Sequence, residues 1–432
     1  MSLTDDLGAA LAAFVDDRIP APAEAVAPPA EAVARVFPPE LGPHADALEA
    51  LPDGALIGGT WLVDRTVTVK SITGPATITA TGAFTILEVS AQSVRHEALA
   101  VVGSGSSPYS GSAHGVHVTG DDYRAVDCSI TAIPGSGLWA DDCDDLLLER
   151  VRITDFHYAG VMMLGVVGAR IVWCDIRDAV GSGTDSYGVA ASMDANAGGR
   201  RSEHMYIAHN RISGIPWEGL DTHGGRDIRF HANDLSDVGL GVAAVGARTG
   251  DVYTHAPQDV QITGNRITQQ NTSRYVSDGI RLVGCATGPG AVTEYATGRI
   301  SGNIVRGFGA PDRANSGAIT TYNSWLVRIS DNEMDTPAGQ GILLQVNTQY
   351  ANVTGNVVVD PWSSTAANKP SGVAAIGTRI KALVTDNMFG AGAKSGSTAR
   401  RYGVYADASV YNVLKARDNF TDSYAVFAEG II

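Results

Sequence analysis

Positive charge is in short supply in this sequence: 31 Lys and Arg stand against 46 Asp and Glu, a formal net charge of −15. So acidic a chain has no basic patch with which to release counterions from a phosphate backbone, so no nucleic-acid partner is expected. Cysteine is almost missing, at four in 432 residues (Cys128, Cys143, Cys174, Cys285). That is too few for a disulfide scaffold, and free thiols are the expectation. No His/Cys cluster has zinc-ligand spacing, so no metal is assigned, and no cofactor is expected either. No apolar run approaches membrane-spanning length, which argues against membrane insertion, and Met1–Ala10 lacks the basic start of a secretion signal. Aromatics make up only 7% of the chain.

Glycine, by contrast, is abundant at 50 residues and follows no collagen period, which points to many tight turns between short strands. Proline is concentrated at the start, with eight of 18 falling by Pro52. Leu7, Leu11, Phe14 and Val15 mark one face of a short helix ending before Pro20, and Ala30–Phe37 is a second helical candidate. Residues 1–50 therefore read as a helical, Pro/Ala-rich arm for attachment or oligomerisation, and 51–432 as a separate β domain.

The β domain repeats itself. A polar residue followed two positions later by an aliphatic recurs as AHNRIS, HANDLS, TGNRIT, SGNIVR, SDNEMD, TGNVVV, TDNMFG and RDNFTD. The asparagines are Asn210, Asn233, Asn265, Asn303, Asn332, Asn356, Asn387 and Asn419, and the same position falls earlier on Cys128, Val151 and Cys174. A second motif opens on glycine: GLWAD, GVMML, GVAAS, GLDTH, GVAAV, GIRLV, GAITT, GILLQ, GVAAI, GVYAD. Its first and third following residues are small or aliphatic while the second and fourth vary, the alternation of a strand with one buried face. Two strands per turn, with intervals as short as 23 residues, specify an all-β, right-handed parallel β-helix of eleven or twelve coils. The asparagines are then a stacked amide ladder at a turn. Because Val151 separates Cys128 from Cys174, those thiols stand two coils apart, roughly 9.6 Å, beyond disulfide reach.

The asparagine ladder, the glycine column and the entry segment GGTWLVDRTVTV resemble the pectate-lyase-like β-helix superfamily across residues 51–432. That superfamily includes polysaccharide lyases, glycoside hydrolases, uronan epimerases and bacteriophage tailspikes, and the arm and absent signal look most like a tailspike or tail-fibre protein. The resemblance implies a bacterial surface polysaccharide as partner, its depolymerisation as function, and a homotrimeric assembly. It also implies a virion-tail or extracellular location reached without a signal peptide, with the cytoplasm as the alternative. The rivals are a uronan C5-epimerase or lyase, and a non-enzymatic glycan-binding adhesin.

Register alone predicts where chemistry sits. Asp221 and His223 fall on outward positions of one strand, with Ala190 and Ala243 as small column neighbours, and Arg281 lies two coils on, roughly 10 Å away. Long insertions before and after the Gly188 coil and at Ala247–Gln258 place the pair on the floor of a valley. A carboxylate beside an imidazole suits acid–base work. GLDTH is similar to the Y-G-F-D-P-H segment of mannuronan C5-epimerases, with Glu218 and Thr222 departing from it and Tyr187 one coil before Glu218. The candidate catalytic residues are Asp221, His223, Glu218, Asp194 and Tyr187. Arg281, Trp217, Tyr206 and Trp139 are the candidate substrate-binding residues, the aromatics through ring stacking.

Overall fold

The computed structural model describes residues 76–429 apart from short segments, among them 194–198, 270–277, 363–369 and 391–401, together with a few strands between residues 35 and 70. The strands assemble into three wholly parallel sheets of 15, 13 and 14 members, a right-handed parallel β-helix. Each coil supplies three strands, one more than the repeat motifs suggest. The missed strand precedes each asparagine, as in Val260–Thr263 before Asn265. A turn of only two residues joins it to the next strand, Arg266–Thr268, so the two read as one segment in the sequence. The helix also has more coils than the columns count, because strands from Ala55 onward join the sheets before either motif begins.

The first helix expected in the arm lies outside the described residues. Within the second, Ala30–Phe37, residues Arg35–Val36 instead form a strand paired with Ala55–Ile57. Ala34–Ile432 is one compact unit, so the β-helix unit begins ahead of the expected boundary at residue 51.

The ladder explains itself atom by atom. The residue before each ladder position has a left-handed backbone (His209 φ 58°, Gly264 φ 65°, Asp331 φ 58°), which is why Gly and Asp recur there. That turn frees backbone groups inside the stack, and asparagine satisfies them. Asn265 Nδ2 donates to Asn303 Oδ1 (3.0 Å) and to Phe230 O (2.9 Å), while its backbone N–H reaches the same Asn303 Oδ1 at 2.9 Å. The pattern runs from Asn210 to Asn419.

Glycine recurs at the start of most strands of the 14-stranded sheet because the backbone there approaches its neighbours too closely for a side chain. A Cβ on Gly241 would lie 2.3 Å from Gly279 O and 2.5 Å from Ile267 Cγ2. One column assignment shifts: Ile319 pairs with both Ile280 and Ile342, so Ala318 takes the glycine place and Gly317 the place before it. Inside, Leu220, Val242, Ile280, Ile319 and Ile342 stack in a single buried column. Each contributes about 1.5–3 kcal/mol by leaving water.

All four cysteines are buried and unpaired. Cys174 fills the ladder place below Asn210, its backbone N–H donating to Asn210 Oδ1 at 2.9 Å. Burial pushes its thiol up to about 12 and that of Cys128 up to about 11. A thiolate is the reactive species. Aromatic disulfide reagents therefore label none of the four at pH 8 and all four after unfolding in guanidinium; fast labelling of the native protein would contradict this packing.

Candidate functional site

Glu218–His223 forms one strand of the 14-stranded sheet. Leu220 points into the core, and Thr222 tethers its Oγ1 to Ala191 O at 2.6 Å. Asp221 takes an outward register place between Ala190 and Ala243, as the columns predict. It is not at the surface, however: Asp221 is 1% exposed and both alanine neighbours are fully buried. This stretch of the outer face is covered, which register alone does not reveal. Glu218 is 4% exposed, paired with Tyr187 of the preceding coil, while the His223 side chain keeps 38% exposure.

The electrostatics follow from that burial. Desolvation, then the Asp221 charge, pushes the Glu218 carboxyl up to about 8, with His223 and Arg281 pulling the other way. Burial, then Asp221 and Glu218, raises the Tyr187 hydroxyl above its ordinary value, which favours its protonated form. His223 Nε2 stands 3.3 Å from Asp221 Oδ1. Asp221 Oδ1 and Glu218 Oε2 are both buried without a hydrogen-bond partner. One donor atom from each of Glu218, Asp221 and His223 lies within 4.8 Å of the others, close enough to hold a metal ion. Spacing rules for His and Cys pass over such a mixed carboxylate–imidazole set.

A cavity of about 640 Å³ opens beside this cluster toward the C-terminal coils, lined by Glu218, His223, Asp278, Arg281, Tyr322 and Gln345 among others. Asp278 is a residue the sequence reading missed. It stands directly before Gly279, the place that Glu218 holds before Gly219, and reading that pre-glycine column would have found it. Its Oδ2 accepts from Arg281 Nε (2.8 Å), and its Oδ1 from Gly317 N (3.1 Å) and Thr320 Oγ1 (3.0 Å). Arg281 is thus both a salt-bridged side chain and a cavity wall.

The other candidates separate. Tyr187 and, at its edge, Trp139 and Trp217 belong to an apolar cluster with Met162 and Ala190 on the N-terminal side, away from the cavity lining. Trp139 also donates to Asp141 Oδ2 at 2.7 Å and stacks on His114. Tyr206 lies on the 13-stranded sheet, packed with Arg170 and His231, and so on a different face from Asp221. Asp194 lies outside the described residues.

The expected wall after the Gly241 coil is present as a hairpin, Ala247–Thr249 with Val252–His255, and Cys285–Ala286 with Val292–Glu294 forms another. The first packs onto the exit of the Asp221 strand, where a Cβ on Gly224 (φ 71°) would lie 2.7 Å from Ala247 Cβ. Arg201 donates to Gly224 O and Ala256 O, both at 2.7 Å, and faces Glu294 at 3.6 Å. The glycines after His223 are therefore a socket for the wall.

No known protein-family profile matches the chain, and no curated protein sequence does. Among solved structures it is similar to the Agl-KA catalytic domain, at 14% identity and a TM-score of 0.50, over 86% of this chain and 64% of that one. The likeness is in the fold, a right-handed parallel β-helix. Weaker likenesses to this β-helix are the Dettilon tailspike protein (13% identity, TM-score 0.44, 84% of this chain and 62% of that one) and a GH87 α-1,3-glucanase from Streptomyces thermodiastaticus (14%, 0.45, 87% and 65%). The chain spans less than two thirds of the length of these three proteins. At such identities the likeness concerns the β-helix fold alone.

Proposed function

We propose that the protein binds a bacterial surface polysaccharide on the outer face of the 14-stranded sheet and cleaves its glycosidic bonds, in the manner of a tailspike depolymerase. The observation that carries this reading is a pair of buried carboxylates, Glu218 and Asp221, whose unpartnered oxygens sit beside a cavity of about 640 Å³ bearing Arg281. Polar groups left unpaired in a covered site are groups held ready for a ligand. Asp221 and His223 move the proton, Glu218 supports them as the adjoining carboxyl, and Arg281, fixed by Asp278, receives an acidic or hydroxyl-rich sugar.

The spacing bears on the reaction. Glu218 and Asp221 donors lie within 4.8 Å of each other, closer than the roughly 6.5–9.5 Å that leaves room for water in an inverting hydrolase. Asp278, two coils from Glu218, accepts from Arg281, Gly317 and Thr320, which makes it the group that fixes Arg281. Arg281 and His223 on one cavity favour a second reading, a lyase or C5-epimerase that neutralises a uronate carboxylate and removes its C5 proton. Incubation with capsular and cell-wall polysaccharides separates these. New reducing ends alone mean hydrolysis, reducing ends with an unsaturated-uronate absorbance mean elimination, and solvent deuterium at C5 without cleavage means epimerisation. Retained binding with none of the three would leave an adhesin. The setting proposed is a virion tail or the cell exterior and the assembly a homotrimer, which light scattering checks against the 44.9 kDa chain mass.

A further inference from the structure

We propose that Glu218, Asp221 and His223 bind one divalent first-row cation of the Mn²⁺-to-Zn²⁺ group. The site adds to the polysaccharide reading of the same groove and stands or falls separately from it. The three donors converge within 4.8 Å from a single strand, because Asp221 and His223 share a face and Glu218 sits at the corner before Gly219. Convergence of acidic groups alone would mean little; the orphaned oxygens make the difference. Asp221 Oδ1 and Glu218 Oε2 belong to side chains more than nine-tenths buried, and neither accepts a hydrogen bond. Buried carboxyl oxygens left without a partner call for a donor or a cation.

The His223 imidazole approaches Asp221 Oδ1 at 3.3 Å yet leaves that oxygen unsatisfied, so the contact is not a hydrogen bond. It does match a coordination edge: two donors at about 2.0–2.1 Å from a tetrahedral ion are about 3.3–3.4 Å apart. Arg281 acts on Glu218 from across the cavity, while its Nε is held by Asp278 at 2.8 Å. Three protein donors leave coordination positions free on the cavity side, the arrangement of a site that also admits a ligand. One imidazole with two carboxylates is too soft a set for calcium, whose shell is oxygen, and suits manganese to zinc.

Isothermal titration of the chelator-stripped full chain with ZnCl₂, MnCl₂ and CaCl₂ in turn tests the site, with Glu218→Gln, Asp221→Asn and His223→Ala in parallel. Circular dichroism and a thermal melt establish that each variant is folded. The expected result is one Zn²⁺ or Mn²⁺ per chain, weakened more than about tenfold in each variant, with Ca²⁺ at least about tenfold weaker than the better of the two. Absence of a stoichiometric site in the unsubstituted protein overturns the proposal. So does affinity unmoved by Asp221→Asn and His223→Ala, which puts the ion elsewhere. Equal binding of Ca²⁺ that ignores His223→Ala overturns it too. Glycan cleavage that survives chelation in a protein without metal affinity removes the cation site alone. Stoichiometric metal binding with no cleavage of any polysaccharide keeps the cation site and removes the depolymerase.

Discussion

Asp221→Asn lowers kcat/KM for polysaccharide cleavage about 10³-fold while the thermal midpoint stays level or rises. The loss follows from removing a group that handles a proton in the transition state, an effect of about 10²–10⁴-fold. The unchanged or higher midpoint follows from where Asp221 sits. Its charge is buried beside Glu218 in a covered stretch of the sheet, so neutralising it removes the cost of keeping a charge away from water. Asparagine keeps the shape between Ala190 and Ala243, so the strand is not disturbed. A merely structural aspartate would behave the other way, losing stability and activity together. Cleavage rates within threefold of the unsubstituted protein, measured as new reducing ends, would end the assignment of Asp221 to the chemistry.

The largest expected loss of stability is at Asn303→Ala. Its side chain accepts from Asn265 N (2.9 Å) and Asn265 Nδ2 (3.0 Å) and donates to Asn332 Oδ1 (2.9 Å) and Ile262 O (2.8 Å). Alanine leaves the Asn265 N–H and the Ile262 carbonyl without that partner in a fully buried turn. Orphaned buried groups cost about 1–3 kcal/mol each, so about 3–5 kcal/mol in all is expected, together with faster hydrogen exchange at the Asn265 amide. The same change at Asn419, whose Nδ2 contact to Arg417 O is exposed, costs less because water replaces part of what is lost. Midpoints for Asn303→Ala and the unsubstituted protein that agree within a degree would show the ladder to be ornament.

The two repeat columns carried most of what was legible in the sequence, because in a stacked fold each column is a line of contacts. Asn303, Asn332 and Asn356 share a ladder, and Ala190, Asp221, Ala243 and Arg281 share a column, as their spacing implies. Period-two alternation says which side of a strand a residue faces, but not whether that side meets water. Asp221 faces outward and is buried all the same. The third sheet stayed hidden because the left-handed residue before each asparagine lets two strands follow one another almost without a break. Asp278 stayed hidden because attention to the positions after glycine passes over the corner before it, where Glu218, Tyr187 and Asp278 gather. Tyr206 misled because an aromatic residue near a site in sequence can lie a whole sheet away in a coil.

The ladder also gives the stack a grain. From Asn210 on, the earlier coil supplies a backbone and a side-chain N–H to the amide oxygen of the later one and takes back one N–H on a strand carbonyl: Asn233 gives both to Asn265 Oδ1, and Asn265 Nδ2 donates to Phe230 O. The two faces of a coil are therefore unlike, as the two ends of a zip are unlike. A coil laid upside down would set amide oxygen against carbonyl, and two copies abutting tail to tail would meet the same repulsion. Such a stack can lengthen only in one orientation, each added coil presenting its amide oxygen to the N–H groups of the coil before it.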